Sequence, residues 1–378
     1  MDLHARFPAI SDLRARARRR IPHFGWEYLD SATGDESALA RNRAALDRVL
    51  LRPSVLHGEV TPDLSTELLG RTHPLPFGIA PVGMSGLIWP GAERTLARFA
   101  ATAGIPYVLS TMATLAPDDM AGAAGEQGWF QLYPPRDPGI RDDILARAKG
   151  AGFHTLVLTV DVPVASRRER QTRGGLTNPP RIRPGMLADL ARRPAWCLGT
   201  ARLGMPRPRL MEGYAESRAA LPSNAHIGYL LRQSPHWDDL KALRDAWEGP
   251  LVVKGVLDPA DAAPLGSAGV DAIWVSNHAG RQFAAAPATI DVLPAIRAAT
   301  RLPLIFDSGI EGGLDILRAL ARGADFVMLG RAWHYALGAL GDRGPAHLAD
   351  MLEQDLKANM GQLGLARPGD AGKKLITD

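Results

Sequence analysis

The chain has 378 residues, 46% of them apolar and 22% charged, with a net charge of +4 and a pI near 9.4. This composition excludes an intrinsically disordered chain, and the single cysteine, Cys197, excludes an intramolecular disulfide and any cysteine-built zinc or iron–sulfur centre. No run of about 18 apolar residues is present and the N-terminus lacks an apolar leader core, so no spanning helix or secretory signal is expected and the predicted location is cytoplasmic.

Taken in chain order, residues 1 to about 70 form an N-terminal extension of helices and loops. Its run Arg14, Arg16, Arg18, Arg19 and Arg20 falls on a helix-like segment without interleaved aromatics, which argues against nucleic-acid binding. A basic surface would suit small acidic substrates or anionic lipid. Short apolar runs then recur at Pro76–Val82, Tyr107–Ser110, Trp129–Tyr133, Thr155–Asp161, Leu251–Val256, Ala272–Asn277, Leu302–Asp307 and Asp325–Leu329. Nearly continuous apolar character is how strands buried on both faces of a parallel sheet read. Helical patterns separate them: Glu93–Ala103, Arg141–Ala151 with Asp142 and Asp143 in its first turn, Trp237–Trp247, Ile290–Ala299, and Leu314–Ala321 with Gly323 as a stop.

Eight strands alternating with helices predict an α/β fold, a (β/α)8 TIM barrel spanning residues 71–345 in a single 378-residue domain. An open doubly wound sheet is the alternative, but no GxGxxG follows the first run. A long insertion, residues 170–235, follows the fourth strand and mixes arginines and prolines with Trp196, Leu198, Leu203, Met205 and Leu210. It reads as a mobile lid or as a peripheral membrane contact. A closing amphipathic helix is expected over Ala346–Leu363, followed by a tail to residue 378.

Barrel enzymes place their chemistry at the C-terminal ends of the strands. Those ends carry Ala80-Pro81-Val82-Gly83, Ser110, Gln131 with Tyr133, Thr159-Val160-Asp161 with Arg168 beyond, Lys254, Ser276 through Arg281, Asp307-Ser308-Gly309 and Gly330-Arg331. His278 alone would read as a structural histidine. A neighbouring Asp161 would fix its tautomer and stabilise its protonated form, making it a general base. Arg281 and Arg168 are guanidinium groups suited to clamping a carboxylate. Together they imply a small carboxylic acid activated near its carboxylate. Lys254 has three readings: a buried ion-pair partner, a Schiff-base nucleophile, or a cation stabilising charge on a bound cofactor. The glycines and arginine after strands seven and eight point to a phosphate, hence to a phosphorylated cofactor. Without an HxH or HExxH cluster no metal is expected.

Ser276-Asn277-His278-Ala279-Gly280-Arg281-Gln282 closely resembles the SNHGGRQ signature of FMN-dependent α-hydroxy-acid dehydrogenases and oxidases. The resemblance extends over nearly the whole chain, through Trp26-Glu27-Tyr28-Leu29, Ala80 to Met84, Leu109-Ser110-Thr111, Phe130 to Tyr133, Leu158 to Asp161, Arg167-Arg168-Glu169, Val253-Lys254-Gly255 and Asp307-Ser308-Gly309. Within that family it looks most like bacterial L-lactate dehydrogenases. The resemblance implies FMN as cofactor, His278 as base paired with Asp161, and Arg281 and Arg168 on the substrate carboxylate. Tyr28 and Tyr133 would contact substrate. Pro81, Val82, Gly83, Ser110, Gln131, Thr159, Lys254 and Ser276 would surround the flavin, with Lys254 taking the third of its readings. Asp307, Ser308, Gly309, Gly330 and Arg331 would hold the ribityl phosphate. Met112 and Ala165 stand where such proteins often line the substrate side-chain pocket, and small Ala165 beside flexible Met112 would admit an acid larger than lactate.

Two departures stand out. Glu311 replaces an arginine usual two positions after Gly309, which should weaken phosphate binding. Ala279 replaces the first glycine of the signature, tolerable if its φ is below zero. The expected reaction is oxidation of an L-2-hydroxy acid to the 2-oxo acid, with electrons passed to a quinone or cytochrome, or to O2 with peroxide release; Gly83, where oxidases often carry alanine, leans to the dehydrogenase. The resemblance also implies a homotetramer. The rivals are a Schiff-base aldolase using Lys254 and a flavin-binding protein that has lost turnover.

Overall fold

The computed structural model describes residues 2–175, 184–214 and 233–376. Ten strands are present among them: β1 (Thr66–Leu68), β2 (Arg71–His73), β3 (Phe77–Ile79), β4 (Tyr107–Ser110), β5 (Gly128–Leu132), β6 (Thr155–Thr159), β7 (Leu251–Val256), β8 (Ala272–Val275), β9 (Leu304–Phe306) and β10 (Phe326–Leu329). Strands β3 to β10 close into an all-parallel barrel in sequential order, with β10 pairing β3 at the seam. Each of the eight apolar runs contributes one of these strands.

The period of two along each strand sorts the core into layers. Val108, Trp129, Val157, Val252 and Ile305 point inward and pack with Trp274, Phe326 and Met328 in the barrel interior. Their neighbours Leu109, Phe130, Leu156, Val253 and Phe306 point outward and meet the surrounding helices. Leu68 of β1 joins the interior cluster, beside Ala272 and Phe326, which begin their strands, so the β1–β2 hairpin plugs the N-terminal mouth. Its turn at Leu69 (φ 51°) and Gly70 (φ 73°) has the left-handed pair that a tight hairpin requires. This hairpin corrects the expectation of only helices and loops before residue 70: three-residue strands with mostly polar side chains carry no legible alternation.

The helices Ala92–Ala103, Trp237–Ala246, Thr289–Ala299 and Gly313–Ala321 lie where the periodicity placed them. One start is corrected. The helix expected from Arg141 begins at Pro138, capped by Asp137, whose carboxylate accepts from the Gly139 and Ile140 amides. Asp142 and Asp143 therefore sit beyond the first turn. The closing helix runs Gly344–Leu363.

Helices Ile10–Arg20, His23–Asp30 and Ser37–Asp47 of the extension pack over the barrel. Arg14, Arg16 and Arg20 of the arginine run join that packing, while Arg18 and Arg19 are exposed. Arg14 Nε donates to Asp30 at 2.8 Å, Arg16 Nε donates to the Ala339 carbonyl at 2.7 Å, and Arg20 lies 4.8 Å over the Trp89 ring. Of the insertion, 176–183 and 215–232 lie outside the described residues. The rest includes helices Pro184–Ala191 and Pro194–Leu203. Trp196 anchors it: its ring is buried, 5.6 Å edge-on from Phe24, and its Nε1 donates to the Leu87 carbonyl at 3.0 Å.

Candidate active site

Beyond the C-terminal rim lies a cavity of about 500 Å³, within the usual size of a cofactor site. The strand ends and the N-terminal helices wall it together.

The loop after β8 carries the most reactive group. His278 (φ 55°), Ala279 (φ 53°) and Gly280 (φ 73°) are consecutive left-handed residues. Ala279 thus departs from the negative φ on which its tolerance was premised, and its methyl group is accommodated at a cost. The loop is held by a reciprocal amide pair: Asn42 Nδ2 donates to Asn277 Oδ1 at 2.9 Å and Asn277 Nδ2 to Asn42 Oδ1 at 2.7 Å. At Gly280 a Cβ would sit 2.8 Å from the Leu39 amide nitrogen, so a side chain there would push away the helix Ser37–Asp47.

The turn aims His278 at the cavity and backs it with Asp161, whose Oδ1 lies 3.0 Å from His278 Nδ1. Acceptor-only Asp161 requires the proton on Nδ1, which leaves Nε2 as the basic nitrogen. Burial lowers the His278 pKa below the ordinary histidine value; Asp161 opposes that shift, while Lys254 and Arg168 add to it. Burial acts to raise the Asp161 carboxyl, yet His278 and Lys254 hold it below the usual carboxylate range. The pair is therefore a neutral imidazole on an ionised carboxylate. Asp161 fits because β7 bulges between Lys254 and Val256. A Cβ at Gly255 (φ 109°) would fall 2.5 Å from Asp161 Cβ.

Lys254 Nζ donates to Ser276 Oγ at 2.7 Å and lies 3.3 Å from Asp307 and 3.9 Å from Asp161. Lys254 Nζ is thus engaged with a hydroxyl and two carboxylates, an arrangement that suits a fixed cation more than a nucleophile. Ser276 does not line the cavity; its Oγ positions Lys254 and accepts from the His278 amide at 3.1 Å.

Arg281 and Arg168 line the cavity with His278, Tyr28 and Tyr133. Arg281 donates to the Ser31 carbonyl at 2.8 Å and stacks 5.4 Å from the Tyr28 ring. Arg168 Nε donates to Ser166 Oγ at 2.9 Å, and Tyr28 Oη donates to the Gly83 carbonyl at 3.0 Å. Met112 also lines the cavity, whereas Ala165 is exposed and outside its lining, a correction to its expected place on the pocket wall. Pro163 and Val164 are exposed with it, whereas Val162 and Ser166 on either side are buried.

Pro81, Val82, Gly83, Ser110, Gln131, Thr159, Asp307, Ser308, Gly309, Gly330 and Arg331 all line the cavity. Ser110 Oγ donates to Gln131 Oε1 at 2.8 Å, but Gln131 Nε2 and Thr159 Oγ1 are buried with no partner. Buried donors left unpaired are costly. Here they face a cavity whose size and polar rim suit a flavin with a hydrogen-bonding pyrimidine edge. Arg331 Nε donates to the Leu29 carbonyl at 3.1 Å and its Nη2 to the Ser31 carbonyl at 3.0 Å. Glu311 is exposed at the same end of the cavity, where Arg14 and Arg43 of the extension also contribute.

The sequence model of the FMN-dependent dehydrogenases matches residues 17–378. The chain belongs to that family. Its cofactor is FMN, and the partnerless Gln131 and Thr159 groups fit it. The chain is 40% identical over 375 residues to an L-lactate dehydrogenase of Caulobacter vibrioides, covering 98% of this chain and 97% of that one. It is 38% identical over 377 residues to an L-lactate dehydrogenase of Stenotrophomonas maltophilia, covering 98% of each. Among solved structures, a monotopic membrane protein, (S)-mandelate dehydrogenase, superimposes with a TM-score of 0.91 at 32% identity, covering 98% of this chain and 99% of that one. A mandelate oxidase gives 0.81 at 31% identity, with 98% of both chains covered.

Reasoning from strand ends missed the contribution of the extension. Asp30, buried, accepts from Arg14 at 2.8 Å, Tyr335 at 2.8 Å and Arg170 at 3.1 Å, and ties the segment after Arg168 to the rim. The one available signal was the acidic residue two places beyond Tyr28.

Proposed function

We propose that this flavoenzyme oxidises an L-2-hydroxy acid of lactate size or somewhat larger to the 2-oxo acid. The observation that carries the reading is the His278–Asp161 pair, 3.0 Å apart, in one cavity with Arg281 and Arg168. In this reading Arg281 and Arg168 bind the substrate carboxylate, and Tyr28 and Tyr133 orient the substrate. His278 Nε2 takes a proton from it, and Asp161 stabilises the imidazolium that results. Lys254 places positive charge where negative charge develops. Bound FMN supplies the two-electron acceptor. Anaerobic mixing with a panel of 2-hydroxy acids should bleach the flavin absorbance; an unbleached flavin with every acid would overturn the proposal.

The proposed second acceptor is a quinone or cytochrome at a membrane. Leu187, Leu198, Leu203 and Met205 of the insertion are each more than half exposed, beside exposed Arg192, Arg202 and Arg207. Exposed apolar and basic residues in one segment suit contact with anionic lipid. Among the described residues no helix is long and apolar enough to cross a membrane, so the contact would be peripheral. Replacing the four apolar residues by serine should abolish flotation with anionic liposomes and leave flavin content intact. Rapid peroxide release on readmission of air would favour the oxidase instead. A homotetramer, to be read by sedimentation velocity, completes the proposal.

A further inference from the structure

At the barrel seam, the last ladder hydrogen bond between β10 and β3 runs from the Ala80 amide to the Leu329 carbonyl at 2.9 Å. Beyond that rung the backbone pairing ends. One strand becomes the loop through Val82 and Gly83; the other becomes Gly330 and the N-terminus of helix Arg331–Leu340. A buried side-chain bridge links the two loops. His334 Nδ1 lies 3.0 Å from the Gly330 carbonyl, His334 Nε2 lies 2.7 Å from Ser85 Oγ, and Ser85 Oγ lies 2.8 Å from the Val82 carbonyl. Both side chains are almost wholly inaccessible.

The tautomer follows from the partners. A carbonyl only accepts, so Nδ1 carries the proton. Burial lowers the ring's pKa to about 4, so at neutral pH the ring is uncharged and Nε2 is an acceptor. The Ser85 hydroxyl then has one proton for two acceptors, His334 Nε2 at 2.7 Å and the Val82 carbonyl at 2.8 Å, and shares it between the two loops. This is a directed connection between two loops that share no further ladder bond.

We propose that His334 and Ser85 are positioning residues that set the spacing between the flavin-ring loop at Val82–Gly83 and the phosphate loop at Gly330–Arg331. The inference rests on FMN lying between these loops. A ligand that spans both benefits from a fixed spacing, whereas one that touches only the ring loop does not. The effect is amplified here because Glu311 stands at the phosphate end, and Arg14 and Arg43 there are each paired with a carboxylate, Asp30 and Asp315 at 2.8 Å, which leaves the Gly330 amide, the start of its helix and Arg331 with more of the phosphate to hold. Neither residue lines the cavity, so neither acts by touching the cofactor.

The test compares two ligands that differ only in the phosphate. Flavin-free full-length protein is titrated with FMN and with riboflavin, following flavin fluorescence, for the wild type, His334→Leu and Ser85→Ala. Loss of one buried hydrogen bond is on the order of a tenfold change in affinity. Both variants should lose about that factor for FMN while riboflavin binding stays within about twofold, and the double variant should lose no more than either single one. A role confined to general packing would weaken both flavins together, and that result, or unchanged FMN affinity in Ser85→Ala, would overturn the proposal. Wild-type protein that binds neither flavin would instead remove the cofactor reading itself.

Discussion

Replacing Asp161 by asparagine isolates the charge behind the base from its shape. The asparagine oxygen can still accept from His278 Nδ1, now 3.0 Å from the carboxylate, so the ring keeps its tautomer. Lys254 keeps Asp307 at 3.3 Å, so no buried ammonium is left unpaired. What disappears is the attraction between a carboxylate and the imidazolium formed when His278 takes a proton. Two unit charges about 4 Å apart at an effective dielectric near 20 attract by about 4 kcal/mol. At ~1.4 kcal/mol per decade that is roughly a thousandfold in rate. Anaerobic stopped-flow measurement of flavin reduction by a saturating 2-hydroxy acid gives that rate directly, and the flavin-to-protein absorbance ratio checks that FMN stays bound. The pH profile carries a second sign. Burial already places the His278 pKa below 6.5, with Asp161 as the opposing influence. Rates should rise with pH through a limb below 6.5, and in Asp161→Asn that limb should move to lower pH while its plateau falls. A loss smaller than tenfold in flavin-replete protein, or a limb displaced upward, would refute the pairing.

Three further outcomes follow from particular residues. Ala279→Gly relieves a Cβ held at φ 53° and should stabilise the fold by about 0.5–1 kcal/mol after the added freedom of the unfolded chain is counted, read as a raised urea midpoint. Acid should destabilise the protein through His334: its pKa is about 4 when folded against 6.5 ordinarily, so the unfolded chain binds the proton first as pH falls. The loss begins near pH 6.5, is complete near 4 and amounts to roughly 3 kcal/mol at ~1.4 kcal/mol per unit; urea unfolding of His334→Leu should lack that share, and parallel curves for the two proteins would contradict it. Glu311→Arg exchanges an exposed carboxylate at the proposed phosphate end of the cavity for a cation and should tighten FMN several-fold with riboflavin unchanged, an effect that weakens with salt.

Why the barrel was legible and parts of its rim were not comes down to the range of the interactions involved. Strands buried on both faces must be apolar throughout, so Leu251–Val256 and Phe326–Leu329 announce themselves, and the residue ending each strand is fixed by the same count. That count put His278, Lys254 and Asp307 on one rim without knowledge of their contacts. It had no access to the backbone torsions. Ala279 occupies a left-handed position because Asn277 and Asn42 lock the preceding turn, and Asn42 is 235 residues away in the chain. The His334–Ser85 bridge spans 249 residues, and each partner, read locally, is an unremarkable member of a short helix or a loop. Asp161 shows both cases at once: its place at the end of β6 follows from the apolar run, but its burial depends on the bulge at Gly255 on the next strand. Single positions therefore yield to periodicity, while pairs that tune a proton or a spacing emerge only when the barrel closes and brings distant strand ends together.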